Sequence, residues 1–523
     1  MFLKKVKNHL SREIFFVVLL GFVIRLFACQ YTFIVNPDGI LYINQAKAMY
    51  YGQWENLTSC GLSYLSNYSI LIAGAYTIFH NWIIAARSVS FLFGFATLIP
   101  LYFLLKRFFD KQVSALGTLI FALVPVLVGR SADVVRGPLC WFFLVLGLSL
   151  FISQINKKNH LYLLFSSLSF LMATWARIEA ILFFIVSGFY ILAVRQEKKI
   201  EKLAIFFAPV VIVTMFCISE TIIFGVSVND FHRANEILDK FSGPIVQYRK
   251  LETSLTELII HQRDGILKFF LPEARNCVWL IALGTILNRS LEAFFYPFFL
   301  VFAIGLGGIW GRIKKDRRVL YFSLLAISGL VLLYLHTLQR WMIYYRFMAI
   351  VIFPCAIFVG FGLEKIIRFL RSRFGLRQSA ALSIVSLLIL VSALPKNLQP
   401  RGADKLVFRQ IGELIAEREG NDQAVVVASS SQIPKWVSFY ANLNYKGESC
   451  GQLYDNSWGK ITNDYGQFVR HLRQRGVRYF LWEETHWPQE KFDFINRLDP
   501  KDFTEVGCWH HPSIGRMILF KVI

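Results

Sequence analysis

Acidic residues are scarce in this chain: 34 Asp and Glu stand against 56 Lys and Arg, a formal net charge of +22 over 523 residues. In a soluble protein that balance points to nucleic acid. Here much of the excess sits in short loops between apolar runs, where positive charge sets membrane topology, so nucleic acid is not an expected partner. The eight cysteines are scattered, with no metal-ligand spacing. Cys450 and Cys508 share the C-terminal part; they either pair, if it faces an oxidising compartment, or remain two thiols. No phosphate-cradling glycine-rich loop, internal repeat or low-complexity segment is present. The first apolar run follows Lys4, Lys5, Lys7 and Arg12, yet it contains Arg25 and lacks a small-x-small cleavage site. It reads as a retained anchor.

What is abundant is apolar surface. The chain is 55% hydrophobic and 16% aromatic, and several runs exceed the length that spans a bilayer. The expected fold is a polytopic α-helical membrane protein with spans near 14–35, 84–105, 112–129, 138–155, 161–176, 179–194, 203–224, 292–310, 319–336, 346–363 and 379–394. With about eleven spans, the N-terminus, Lys106-Arg107 with Lys111, Lys157-Lys158, Arg195 to Lys202, Arg312 to Arg318 and Lys365 to Arg377 share one side, the cytoplasm. The opposite side receives a first external loop, 36–83, an external segment, 225–291, and everything after Pro395. Within that segment, 265–287 is apolar but interrupted by Pro272-Glu273-Ala274-Arg275, and reads as a re-entrant or interfacial hairpin. The division is therefore a membrane domain, 1–394, and an external domain, 395–523, of the multi-pass cytoplasmic (inner) membrane.

After Pro395 the composition becomes that of a soluble domain. A helical pattern (Leu406, Ile411, Leu414, Ile415) precedes the apolar run Ala424 to Ala428. Helical Phe468 to Arg475 precedes Val477 to Trp482, and strand-like Phe503 to Trp509 and Arg516 to Val522 close the chain. This is a small α/β domain, whose Trp436, Tyr440, Tyr454 and Trp458 read as core aromatics rather than sugar-stacking ones. His80, His232, His261 and His336 are isolated and read as surface or core residues.

The stretch with chemistry is Asn36-Pro37-Asp38-Gly39, a turn that puts a carboxylate at the mouth of the first span, followed by an amphipathic interfacial stretch to about Trp54. A lone acid beside a bilayer suits a general base. Glu55 stands across that stretch as a supporting acid or a solvated loop residue. Arg25 lies within the first span, Arg130 and Arg136 flank a short external loop, Arg177 sits between two spans and Arg346 opens another. Intramembrane cations are costly and usually functional. Several at one face suit an anionic lipid head group, since guanidinium matches phosphate oxygens. Snorkelling, or pairing with Asp133 and Glu179, is the structural alternative.

Four stretches carry a family resemblance. The first is Arg25 followed by Asp38-Gly39-Ile40-Leu41-Tyr42-Ile43-Asn44-Gln45-Ala46, an external Asp and a Tyr-x-x-x-Ala helix. The second is Ala86-Arg87 opening a span that ends Leu104-Leu105-Lys106-Arg107-Phe108-Phe109. The third is Arg130 to Arg136 leading into Pro138-Leu139-Cys140-Trp141-Phe142-Phe143, with Ala176-Arg177-Ile178-Glu179-Ala180 similar to an Arg-Pro-Glu-Gly turn. The fourth is Tyr345-Arg346-Phe347, similar to Pro-Arg-Tyr before a late span. In this order they resemble the GT-C superfamily of polyprenyl-phosphate-sugar-dependent glycosyltransferases, on the branch of protein O-mannosyltransferases and aminoarabinose transferases. The resemblance covers roughly residues 1–365.

That resemblance implies a lipid-linked sugar donor presented from the outer leaflet. Asp38 is then the base for an acceptor hydroxyl, and Arg25, Arg130, Arg136, Arg177 and Arg346 hold the donor phosphate; Tyr42, Glu55, Asp133 and Glu179 support them. The acceptor is an envelope glycan such as lipopolysaccharide, a glycolipid or a protein. One departure is that Arg136 is followed by Gly137-Pro138, not by an acid, and the nearest acid is Asp133. This favours a metal-independent reaction, with no cofactor, while leaving a divalent metal open. The alternative function is a transporter or flippase of lipid-linked glycans, for which inverted repeats and broken helices are the usual signature.

Overall fold

The computed structural model describes residues 12–157, 160–194, 198–224, 232–261, 265–448, 450–451, 453–455, 464–488 and 492–523. Lys4, Lys5, Lys7, Lys158, Arg195 and Trp458, used above, lie outside the described residues. The chain forms two compact units. One comprises Met1–Ala28, Ser90–Ala132 and Arg136–Gln399; the other comprises Cys29–Val89, Asp133–Val135 and Pro400–Ile523.

Among the described residues, five helices are long and apolar enough to cross a membrane: Arg12–Gln30, Trp82–Leu105, Gly137–Gln154, Arg317–Arg340 and Gln378–Asn397. The number rises to nine if each of four bent helix pairs counts as one span. The chain is thus a multi-pass membrane protein, and these five helices coincide with the expected spans 14–35, 84–105, 138–155, 319–336 and 379–394. Its breaks have local causes. Lys111–Leu123 and Pro125–Ala132 meet at 57°, because Pro125 has no N–H to continue the ladder and drives Val124 to an extended ψ of 116°. Ile266–Asn276 and Val278–Phe294 meet at 78° in the stretch expected to form a hairpin. The break falls at Cys277 rather than at Pro272, which the helix Ile266–Asn276 tolerates in its interior. Elsewhere in this unit Gly305 and Gly362 bring the helices Tyr296–Leu306 and Ala356–Phe374 into backbone contact: a Cβ on Gly305 would strike the Phe358 carbonyl, and one on Gly362 that of Val301. In lipid, where apolar burial adds no drive, such close approach is what holds helices together.

The second unit contains a five-stranded sheet of β1 (Val426–Ser429), β2 (Tyr454–Asp455), β3 (Val477–Glu483), β4 (Phe503–His511) and β5 (Gly515–Val522). The order is β2-β1-β3-β5-β4, with β1 parallel to β2 and β3, and β5 antiparallel to β3 and β4. The apolar face of β3 and β5 packs on the helix Tyr465–Gln474 through Phe468, Phe480, Phe494, Phe503 and Phe520. The α/β domain is as expected, with one short strand (β2) and the helix Pro434–Ala441 added.

The same unit interlocks residues 29–89 with the C-terminal domain. The backbone of Phe33 donates to the Arg401 carbonyl at 3.2 Å, and that of Arg401 to the Tyr31 carbonyl at 2.9 Å. Val35 donates its N–H to the Tyr440 hydroxyl and accepts from Trp436 Nε1, both at 2.9 Å. Tyr440 and Trp436 therefore pack and bond within the unit, in line with the core reading. A disulfide joins Cys60 to Cys450, 390 residues apart in sequence, while Cys508 is a free, exposed thiol. The possible Cys450–Cys508 pair is thereby replaced: tertiary structure brings the first loop, not β4, to Cys450. A native disulfide typically stabilises by about 2–4 kcal/mol. Cys60→Ser, or reduction confirmed by thiol labelling, is expected to lower Tm by roughly 5–15 °C in detergent. An unchanged Tm would show that the bridge adds nothing.

Candidate active site

Asp38 begins from local sequence. Asn36 caps the helix Pro37–Tyr50, its side-chain oxygen accepting from the Asp38 N–H at 3.0 Å, and Pro37 supplies a pre-set φ at the first helical position. The expected Pro-Asp-Gly turn is therefore the first helical turn, where the dipole favours a carboxylate's charge. Gly39 is required by packing: a Cβ there would lie 2.6 Å from the Val134 carbonyl. That approach places the helix on the 133–135 segment, where Asp133 accepts from Asn36 Nδ2 at 3.2 Å and from the Val134 N–H at 2.8 Å. Asp38 itself is half-buried. Tyr42, one turn on, is 4% exposed and meets the Tyr68 ring edge-on at 5.3 Å. Glu55 is exposed on the short turn Trp54–Asn56.

The first unit gathers a cation cluster. A cavity of about 490 Å³ is lined by Arg136, Lys240, Arg340 and Arg346, with His336 and the acids Glu179 and Glu236. Four full cations against two carboxylates leave it positive. Glu179, buried on the Ile178–Ala180 turn, is held by Lys240 Nζ at 3.1 Å and Arg177 Nε at 3.4 Å. Phe347 organises the rest: the Arg177 guanidinium lies 4.4 Å from its ring centroid, that of Arg346 5.4 Å, and the His336 ring 4.7 Å. Such stacking orients guanidinium groups without using up their N–H donors. Two motifs some 170 residues apart, Arg177-Ile178-Glu179 and Tyr345-Arg346-Phe347, thus meet about one ring.

The other two arginines stand differently. Arg130 is half-buried in the last turn of Pro125–Ala132, a helix that packs on the Tyr345–Phe347 turn. Arg25 is 1% exposed, and its Nη1 donates to the carbonyls of Gly21 at 3.1 Å and Ala122 at 3.0 Å, its Nε to Ser131 Oγ at 3.3 Å. With Asn397, which donates to the Leu123 carbonyl at 2.8 Å, it satisfies carbonyls that the Pro125 break leaves open. Sequence reasoning missed Lys240, Arg340 and Glu236, and read His336 as isolated. The signal was there: Glu236/Lys240 and His336/Arg340 are i,i+4 pairs, each on one helix face. Among the described residues, no three of His, Cys, Asp and Glu converge as metal ligands.

The chain thus combines apolar helices, a cation-lined cavity and a small C-terminal α/β domain. Comparison gives it relatives. Residues 67–224 match the family model of dolichyl-phosphate-mannose-protein mannosyltransferases. The fold is similar to that of ArnT from Cupriavidus metallidurans bound to undecaprenyl phosphate, at TM-score 0.59 and 13% identity, covering 98% of each chain. It is also similar to the Archaeoglobus fulgidus oligosaccharyltransferase in complex with zinc and sulfate, at TM-score 0.56 and 11% identity, covering 97% of this chain and 72% of that one. The archaeal oligosaccharyltransferase AglB from Archaeoglobus fulgidus, in complex with an inhibitory peptide and a dolichol-phosphate, aligns at TM-score 0.51 and 12% identity over 97% of this chain and 74% of that one. No curated protein sequence gives a significant match. The resemblance to GT-C enzymes drawn from the four motifs stands.

Proposed function

We propose that this chain is an inverting glycosyltransferase that moves a sugar from a polyprenyl-phosphate carrier to a hydroxyl on an envelope glycan, glycolipid or protein. The observation that carries the reading is the positive cavity formed by Arg136, Lys240, Arg340 and Arg346 in a chain whose 67–224 segment matches a lipid-phosphate-sugar-dependent family. The acceptor hydroxyl gives its proton to the Asp38 carboxylate as its oxygen bonds to the anomeric carbon. The bond from that carbon to the phosphate oxygen breaks, and the charge growing on the lipid phosphate is stabilised by the cavity's cations. Arg346 and Arg136 act directly on the phosphate, with Arg130 beside them. Arg177 and Glu179 hold the cluster in shape, and Arg25 positions the broken helix that follows it.

The proposed location is the inner membrane, with Asp38 and the C-terminal domain on the periplasmic side. The Cys60–Cys450 bridge supports this, since disulfides persist in oxidising compartments and both cysteines fall on the side that the loop charges assign to the exterior. The test is transfer of labelled sugar from polyprenyl phosphate to envelope acceptors by the purified chain, read by mass spectrometry. The four bent helix pairs favour a second reading, a flippase of lipid-linked glycans. Donor crossing in proteoliposomes without any transfer would select it and overturn the enzyme.

A further inference from the structure

The second unit contains its own cavity, about 270 Å³, between the helix Pro37–Tyr50, the 59–61 loop and the C-terminal segment around Pro434–Ala441. Two lysines line it, Lys47 and Lys435. Lys47 is 3% exposed, and its Nζ donates to the Asn442 carbonyl at 3.0 Å. Lys435 is half-buried. Among the described residues no carboxylate lies within ion-pair distance of either, and burial alone acts on both, pushing the Lys47 ammonium down to about 8 and lowering that of Lys435.

An ammonium carries three donors, and taking it from water costs several kcal/mol unless they are met. One lysine on a carbonyl is explained as structural. Two, without a counter-ion among the described residues and lining one cavity, are not. The same wall offers Asn44, Ser59 and Tyr454 as further polar partners, and the Cys60–Cys450 bridge closes one side. The volume suits a head-sized anion rather than an acyl chain.

We propose that this cavity binds an oxyanion, the phosphate or carboxylate substituent of the acceptor, so that the enzyme selects acidic acceptors. The selection rests on the glycosyl-transfer reading; the anion site does not. The probes are inorganic phosphate and glucuronate, with glucose as the neutral control. Each is titrated against the full chain by thermal shift in an Arg136→Ala/Arg346→Ala background that weakens the other cation cluster. Both anions are expected to bind and glucose not to. Lys47→Met and Lys435→Gln should each weaken anion binding at least tenfold, and the half-exposed Lys435 site keeps the test valid if Lys47→Met misfolds. Unchanged affinity in Lys435→Gln would overturn the site. With the other cluster intact, Lys435→Gln should raise KM for phosphorylated or uronate-bearing acceptors at least tenfold and leave neutral ones unchanged. An equal effect on both would overturn acceptor selection. Anion binding in a chain that transfers no sugar would overturn the transferase reading alone.

Discussion

Asp38→Asn is expected to lower sugar transfer by about 10²–10⁴-fold, the range a positioned general base contributes, while donor binding survives. The substitution is close to a pure chemical test. Asn has the shape of Asp, and the cap that starts the helix uses the Asp38 backbone N–H, received by Asn36, so the helix keeps its first turn. The loss is then the loss of a proton acceptor: an amide carbonyl is far too weak a base to take the acceptor's hydroxyl proton as the new bond forms. Transfer is measured with labelled polyprenyl-phosphate sugar, and Tm is followed in parallel. Transfer at the wild-type rate would remove Asp38 from the base role. A transfer deficit together with an unchanged Tm and unchanged donor affinity would establish it.

The second large effect concerns the donor. Arg136→Ala with Arg346→Ala is expected to weaken binding of polyprenyl phosphate by about 10²–10³-fold. Hydrogen bonds to charged groups contribute roughly 1.5–3 kcal/mol each, and two that share one phosphate combine less than additively. Removing both leaves Lys240 and Arg340 as cations of the cavity, no longer in excess of Glu179 and Glu236. Electrostatic attraction is therefore lost along with the contacts. The stacking of Arg346 on Tyr344 and Phe347, at 4.8 and 5.4 Å, means that its loss also loosens packing. Arg346→Lys is the useful companion: it keeps the charge but not the planar fork, and should recover only part of the affinity. Wild-type affinity in the double variant would return both arginines to a structural role.

Several of these residues were legible beforehand, for definable reasons. Asp38 stands out because an acid at the end of an apolar run is rare, and Arg177 and Arg346 because a cation beside a span is costly. The β-rich runs of the C-terminal domain follow from composition, and the spans from their length. Lys240 and Arg340 were legible only as members of i,i+4 pairs, not as partners in one site. Each sits on a helix face whose period is visible, but nothing local says that the two helices share a cavity. Arg25 was marked by its intramembrane charge, and only the fold shows that its Nε and Nη1 bond to Ser131, Gly21 and Ala122. Cys60 and Cys450 show the limit most clearly. No spacing rule reaches across 390 residues, because pairing is decided by where chains meet in space.

By itself, the order of residues determined that this chain lives in a bilayer, that a soluble α/β domain follows, and which charges sit beside its spans. Those are consequences of local hydropathy and of the energy of leaving backbone or charge in lipid. Only the tertiary structure decided which cations share a volume, that the first loop is tied to the C-terminal domain, and that Lys47 and Lys435 face one cavity. The reason is physical: a side chain's partners come from the packing of distant elements, and a pattern along the chain carries that information only where the partners are neighbours in sequence.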